Sequence, residues 1–394
     1  KTFKYKKRRC ALVLTHLQIT DIMKVCIYSL FLSLLLLSCF KSEKSPYLIL
    51  DPKEHVSEFI SISEFVDTVM YIPLDTSMLI KGIGRHFLID DDCMFFDTNE
   101  GVLKYSRQGI FLQKIGRVGG APQEYTNYRA IAMDKENERI YVYSLPRKLI
   151  VYNFDGEFLN FFSVELPDDG LYPIQMYYRN GLIYFFYRNC LGGETRKSLF
   201  WVITDTKGQM KTFRRSNEIQ LGADYAASYG LFGVNVKDAD SFVYWDLFND
   251  TVFHVNGMEA KIVYLWDKGK FRLLDTDNFE VPDDDRRICT AFVDAEHFLL
   301  LRWNTMRHVG AQVFLSYYDK KEKKAYKLDD SHVVPKSKLS LLNHFFAYER
   351  IDGREYLLMG AKVNELPDDM KDSLGNLSFE DEDNPILVLI RLNQ

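Results

Sequence analysis

The stretch AIAMDKENERIYVYSLPRKLIVYNFDGEFLNFF, residues 130–162, holds four short apolar runs with polar breaks between them. Ala130–Met133 leads into the polar run Asp134–Glu138. Ile140–Tyr143 and Leu149–Tyr152 follow, and Asn153-Phe154-Asp155-Gly156 precedes Phe158–Phe162. The runs are too short for helices and are rich in Tyr, Phe, Ile and Val, so they read as strands. Asp-Gly between two apolar strands signals a tight hairpin, because glycine accepts the positive φ that such a turn needs. The device recurs at Asp205-Thr206-Lys207-Gly208, and less cleanly at Asn256-Gly257 and Asp352-Gly353. Residues 130–162 therefore predict one four-stranded antiparallel sheet.

The second strand of that sheet has five counterparts elsewhere in the chain. The six segments are Cys93–Phe96, Arg139–Tyr143, Leu182–Tyr187, Phe242–Trp245, His297–Leu301 and Glu355–Met359, with starts 46, 43, 60, 55 and 58 residues apart. A sheet repeated radially at such spacing is a propeller blade, so the sequence predicts an all-β, six-bladed β-propeller. Blade 1 is expected over Ile83–Ile89, Cys93–Phe96, Val102–Tyr105 and Phe111–Ile115. Blade 3 runs from about Ile174 through Tyr184 and Trp201 to Phe213. Blade 4 takes Phe232–Val236 to Ile262–Leu265, and blade 5 takes Thr290–Val293 to Ala325–Leu328. Blade 6 begins near Phe345 and ends at Ile386–Ile390. A spare strand at about 66–74 is expected to pair with the last strand, 386–390, and so close the ring. Pro335–Leu342 is expected as a short helix, and Glu365–Asp383 as an acidic insertion.

The chain has 394 residues, 47% hydrophobic and 14% aromatic, enough for a large core. Its net charge of −5 argues against a nucleic-acid surface, which needs a clustered positive field. The basic run Lys4, Lys6, Lys7, Arg8, Arg9 lies in residues 1–22, which read as an upstream extension before Met23. Val25–Leu37 is a short, mostly apolar run, suited to a signal peptide over 23–38 rather than a spanning helix. It ends in Leu36-Leu37-Ser38-Cys39, which resembles a bacterial lipobox; the resemblance implies lipid on Cys39. Residues 39–58 are then a lipidated tether and 59–394 the propeller. Cys93, Cys190 and Cys289 remain in the mature chain. No CxxC pair occurs, and Cys93 and Cys289 are expected as buried thiols.

Ile115-Gly116-Arg117-Val118-Gly119-Gly120-Ala121-Pro122-Gln123-Glu124-Tyr125 resembles the IGR-x-G-x-GPGEY loop of the six-bladed β-propeller lipoproteins of Bacteroidetes, relatives of the NHL-repeat propellers. Tyr71-Ile72-Pro73-Leu74-Asp75-Thr76 is similar to that family's YIPLET, and Asp383-Asn384-Pro385-Ile386-Leu387-Val388-Leu389 to its DNPVLVL. The marks span residues 71–389. They imply the fold and a place in the cell envelope, most simply the outer membrane, and little about chemistry. Ala121 and Gln123 stand where the family tends to have glycine, which removes two permissive φ positions.

The loop joins the outer strand of blade 1 to the inner strand of blade 2, on a face where propellers often bind ligands. Arg117 offers a planar donor fork, Glu124 a carboxylate and Tyr125 an amphipathic ring, and these three are the ligand-binding candidates. A structural corner, with Arg117 and Glu124 satisfying buried backbone groups, is the competing reading. The acidic runs Asp90–Asp92 and Asp283–Asp285 lack the ligand spacing of a calcium loop and read as solvated turns. The dispersed histidines form no HxH or HExxH pair; His86 and His344, near inner strands, could meet at the axis. Tyr244, Trp245, Trp266 and Trp303 could stack on sugars but suit packing between blades. No GxSxG, GxxxxGK[ST] or strand-borne GxGxxG motif is present. The chain is thus expected to be a non-catalytic binding or scaffold module for a glycan, peptide or envelope protein, without a cofactor. The alternative is a hydrolase or lyase with an axial site holding calcium or another divalent ion.

Overall fold

In the strand Arg139–Ser144, neighbouring side chains go to opposite sides of the sheet. Ile140 and Val142 pack with Cys93, Phe95 and Val102, while Tyr141 and Tyr143 pack with Met176, Ile183, Phe185 and Tyr187. The first group belongs to the preceding sheet and the second to the following one. Each sheet is therefore buried on both faces, and this makes its middle strands continuous apolar runs instead of alternating ones. Each large side chain so buried contributes about 1.5–3 kcal/mol by leaving water.

These packing relations come from a computed structural model. It describes residues 48–50, 58–80, 83, 87–98, 100–167, 172–187, 196–220, 232–238, 240–246, 250–266, 287–305, 313–329, 347–362, 366 and 384–393. The chain divides into two compact units, Lys1–Leu48 and Ile49–Gln394. Six sheets are each built on four antiparallel strands, giving the six-bladed propeller. Blade 1 comprises Phe87–Ile89, Cys93–Thr98, Gly101–Ser106 and Phe111–Ile115. Blade 2 comprises Tyr128–Asp134, Arg139–Ser144, Lys148–Asn153 and Phe158–Ser163. Blade 3 runs from Pro173–Arg179 out to Met210–Gln220, blade 4 from Phe232–Asp238 to Glu259–Trp266, and blade 5 from Arg287–Asp294 to Lys324–Asp329.

Blade 6 takes strands from both ends of the unit, in the order Ala347–Ile351, Arg354–Ala361, Ile386–Leu392, Val66–Pro73. Tyr71 stands opposite Val388, Met70 opposite Leu389 and Val69 opposite Ile390. The expected closure is present, with the last strand two residues longer than predicted. Asn384, 3% exposed, locks it. Its Oδ1 accepts from Ile80 N at 2.7 Å, and its Nδ2 donates to Asp75 O and Met78 O, both at 2.7 Å. Asn393 N adds a bond to Phe65 O at 2.9 Å.

Hairpin glycines press blades together. A Cβ on Gly109 would lie 2.1 Å from Pro73 O of blade 6, and one on Gly208 would lie 2.7 Å from Ser163 O of blade 2. Both have positive φ, +85° and +80°, and the carbonyl of each accepts across the seam, from Asp75 N and Glu165 N at 2.8 Å. The later Gly257 and Gly353 have open space around the same position.

Three features lie beyond the sequence reading or correct its edges. Phe59–Ser61 adds to blade 5 as a fifth, parallel strand, with Ile60 opposite Leu328. A 3-10 turn, Ile62–Glu64, follows it, capped by Ser61 and Glu64 reciprocally. Of the inner strand expected over 83–89 in blade 1, Phe87–Ile89 is a strand, and 84–86 lie outside the described residues. Cys93 and Cys289 are free buried thiols, and burial pushes the Cys93 thiol up to about 11. Tyr244, Trp245, Trp266 and Trp303 are all buried, Trp266 against Trp303 at 5.4 Å. Cys39, Cys190, His86, His344, Asp283–Asp285, the expected helix 335–342 and nearly all of the 365–383 insertion lie outside the described residues.

Candidate functional site

The loop 116–125 is built around two tyrosines. Gly116 turns the chain at φ +63°, and a Cβ there would strike the Tyr152 ring at 2.4 Å, so the close approach requires glycine. Tyr125 is 1% exposed and meets Tyr152 edge to face at 6.4 Å. Its hydroxyl donates to Ile115 O at 2.9 Å and accepts from Val102 N at 3.1 Å. Burial raises the Tyr125 hydroxyl above its ordinary range, so it stays protonated and keeps both bonds. Tyr152 Oη donates to Gln123 O at 2.6 Å, and Lys148 Nζ to Glu124 O at 3.0 Å and Ala121 O at 3.3 Å.

Glu124 folds back under the loop. Its carboxylate accepts from Ala121 N at 2.9 Å and from Arg117 Nε. The Ala121 amide, followed by the Arg117 guanidinium, holds the Glu124 carboxyl below its usual range. A Cβ on Gly119 would lie 2.0 Å from Glu124 Oε2, so that glycine makes room for the carboxylate. Ala121 and Gln123 have ordinary negative φ; in this loop positive φ falls on Gly116, so the loss of two glycines carries no strain. The three predicted residues thus lie in one loop but face different ways. Glu124 and Tyr125 point inward, while the Arg117 side chain is 72% exposed and adjoins Val118, 57% exposed.

A second group, which sequence reasoning missed, lies along the inner strands. Glu349 is on the inner strand of blade 6, on the same face as Ala347 and Ile351. Enclosure raises its carboxyl to about 7, against a downward pull from Arg179 of blade 3 and Lys135 of blade 2. Tyr177, buried beside Arg179, is raised by burial and then by the Glu349 charge. The Arg179 guanidinium lies over the Phe242 ring at 5.5 Å, and its Nε is buried without a hydrogen-bond partner. Other buried carboxylates are satisfied. Asp294 takes Lys237 Nζ at 2.7 Å, Lys320 Nζ and Tyr264 Oη at 3.0 Å. Glu355 takes Tyr348 Oη, Arg350 Nη2 at 2.9 Å and Glu296 N at 2.9 Å. No signal local to Glu349 could have marked it, because the charged groups that act on it come from blades 2 and 3. Among the described residues no three His, Cys, Asp or Glu side chains stand together as metal ligands.

A closed ring of six blades with a framed rim loop and an ionisable axis defines the class: this is a six-bladed β-propeller. The chain belongs to the DUF4934 family, a domain of unknown function, whose model matches residues 48–391. Among solved structures, a Bacteroides fragilis protein designated as exported is 16% identical, with a TM-score of 0.63 over 88% of this chain and all of that one. A DUF4221-family protein from Bacteroides vulgatus is 10% identical, with a TM-score of 0.51 over 83% of this chain and 97% of that one. No curated protein matches the chain. At such identities the likeness concerns the fold.

Proposed function

We propose that this protein is an exported, lipid-anchored propeller of the bacterial cell envelope that binds a glycan, a peptide or an envelope protein without transforming it. One observation carries the reading: the 116–125 loop is bonded along its inner side, yet presents Arg117 and Val118 to solvent. A rigid frame that exposes a guanidinium and an apolar side chain is what a binding loop needs, since little ordering entropy is lost on contact. Arg117 is the contact residue; Glu124 and Tyr125 position it. The Bacteroides fragilis structure designated as exported supports the location, and Leu36–Cys39 supports the anchor. Labelling with a palmitate analogue tests the anchor. Incorporation that disappears in Cys39→Ala is expected; incorporation unchanged in that variant overturns it.

The catalytic alternative has Glu349 in its favour, a carboxyl near neutrality beside Arg179, which suits general acid–base work. The cations facing Glu349 make its surroundings suited to an anionic group more than to a divalent ion. If the axis were a hydrolase or lyase centre, turnover found with any glycan or peptide would be lost in Glu349→Gln.

A further inference from the structure

Each blade ends in an outer strand whose far edge faces away from the axis. Five of these strands carry a charged residue: Lys114 in blade 1, Lys211 in blade 3, Glu259 in blade 4, Lys324 in blade 5 and Asp67 in blade 6. Charges on an edge discourage pairing with another chain. The outer strand of blade 2, Phe158–Ser163, has the sequence FLNFFS and no charge. It is the end strand of its sheet, and Phe158, Leu159 and Phe161 are 40%, 47% and 44% exposed. The Phe161 N–H is held by the adjacent Asn160 Oδ1 at 2.8 Å, so it points away from the neighbouring strand Lys148–Asn153.

The same fold shows that such an edge accepts a further strand. On blade 5, Phe59–Ser61 pairs with the outer strand, and Lys327 N donates to Glu58 O at 2.9 Å. Blade 2 has no such cover among the described residues. We infer that the blade 2 edge is the contact site for a second copy of this chain, with the two Phe158–Ser163 strands paired antiparallel about a twofold axis near Asn160.

Self-complementarity selects that occupant. In a twofold contact the residue on the axis meets its own copy and those beside it meet one another's copies, so a charge at the centre of the strand would set like charges together. FLNFFS avoids this: Leu159 falls opposite the partner's Phe161, and Phe158 opposite the partner's Phe162. The local Asn160–Phe161 bond is exchanged for a main-chain bond across the axis. A strand pair alone is small against the roughly 1,200–2,000 Å² of a stable interface. Leu112 of blade 1 and Met210 and Phe213 of blade 3, all exposed on the flanking outer strands, extend the apolar surface on both sides.

Sedimentation of the full-length chain over a concentration series tests this. A monomer–dimer equilibrium is expected for the wild type, weakened by about tenfold or more in Leu159→Lys and Phe161→Lys. Val313→Lys, on an equally exposed residue of blade 5, leaves it unchanged. Single cysteines at Leu159, Asn160 and Phe161 supply a readout that does not depend on a tolerated charge. At least one should give a disulfide-linked dimer on mild oxidation that the wild type does not give. A wild type that is monomeric throughout, a dimer indifferent to both lysine variants, or cysteine variants that never cross-link would each overturn the inference.

Discussion

The side-chain amide of Asn384 donates to the main-chain carbonyl of Asp75 at 2.7 Å, joining the segment before the last strand to the segment after Val66–Pro73. The two residues sit in the DNPILVL and YIPLDT stretches, and the bond gives those stretches a physical purpose. Asn384 satisfies Ile80 N, Asp75 O and Met78 O from a buried position. Asp75 in turn accepts from Ser77 N at 2.7 Å and meets blade 1 through Gly109. The seam that closes the ring is therefore pinned on both sides by side chains recognisable in the sequence.

Removing that pin should be costly. Asn384→Ala leaves three backbone groups without their partner, and each buried polar group so stranded costs about 1–3 kcal/mol where water cannot replace it. A loss of roughly 2–4 kcal/mol is expected in urea unfolding. Asn384→Asp, which cannot donate to the two carbonyls, should not rescue it. Unfolding midpoints equal to wild type would show that the seam holds without this residue.

The hairpin glycines offer a matched comparison. Gly208 and Gly257 both have positive φ, but only Gly208 has a neighbouring carbonyl where a Cβ would go. Gly257→Ala should cost about 1 kcal/mol, the usual penalty for a side chain at positive φ. Gly208→Ala should cost distinctly more, because the blade 2–blade 3 seam must also open. Equal losses in thermal unfolding would contradict the close approach.

Glu349 makes stability depend on pH in a stated direction. Its folded carboxyl titrates near 7, above the ordinary 4.5, so the folded chain holds a proton that the unfolded chain releases. The favourable contribution is complete below about 4.5 and is lost as pH rises through about 7. Tyr177, Arg179 and Lys135 are the ionisable groups whose electrostatics couple to it. Glu349→Gln should gain about 2–3 kcal/mol on wild type between pH 5 and pH 8. A difference that does not change with pH would place the carboxyl in water.

Tyr125→Phe removes one hydroxyl that serves Ile115 O and Val102 N. It should lower stability by about 1–3 kcal/mol, whereas Arg117→Ala, on an exposed side chain, should stay within about 0.5 kcal/mol. Comparing the two unfolding curves separates the residue that builds the loop from the one it displays.

Much of this architecture was legible because burial on two faces writes continuous runs such as Ile140–Tyr143 into the sequence, and because Asp155-Gly156 marks a turn between them. The closing pair was legible as a surplus strand at the front and an unpartnered one at the back. Phe59–Ser61 was not, since three residues paired in parallel leave no period to read. The loop candidates were found by residue type, but type alone could not tell that Tyr125 spends its hydroxyl on Ile115 and Val102. Glu349 was invisible, because the carboxyl of an ordinary glutamate in YERID is raised by burial in the folded ring, against the pull of Arg179 and Lys135, and no local pattern records that burial.

The most direct test of the binding account is retention of soluble glycans, a peptide array and solubilised envelope proteins on immobilised wild type and Arg117→Ala side by side, with unfolding curves for both. The account predicts a species held by the wild type, released unaltered, and lost in Arg117→Ala while the unfolding curves coincide. Undiminished retention by Arg117→Ala would contradict it.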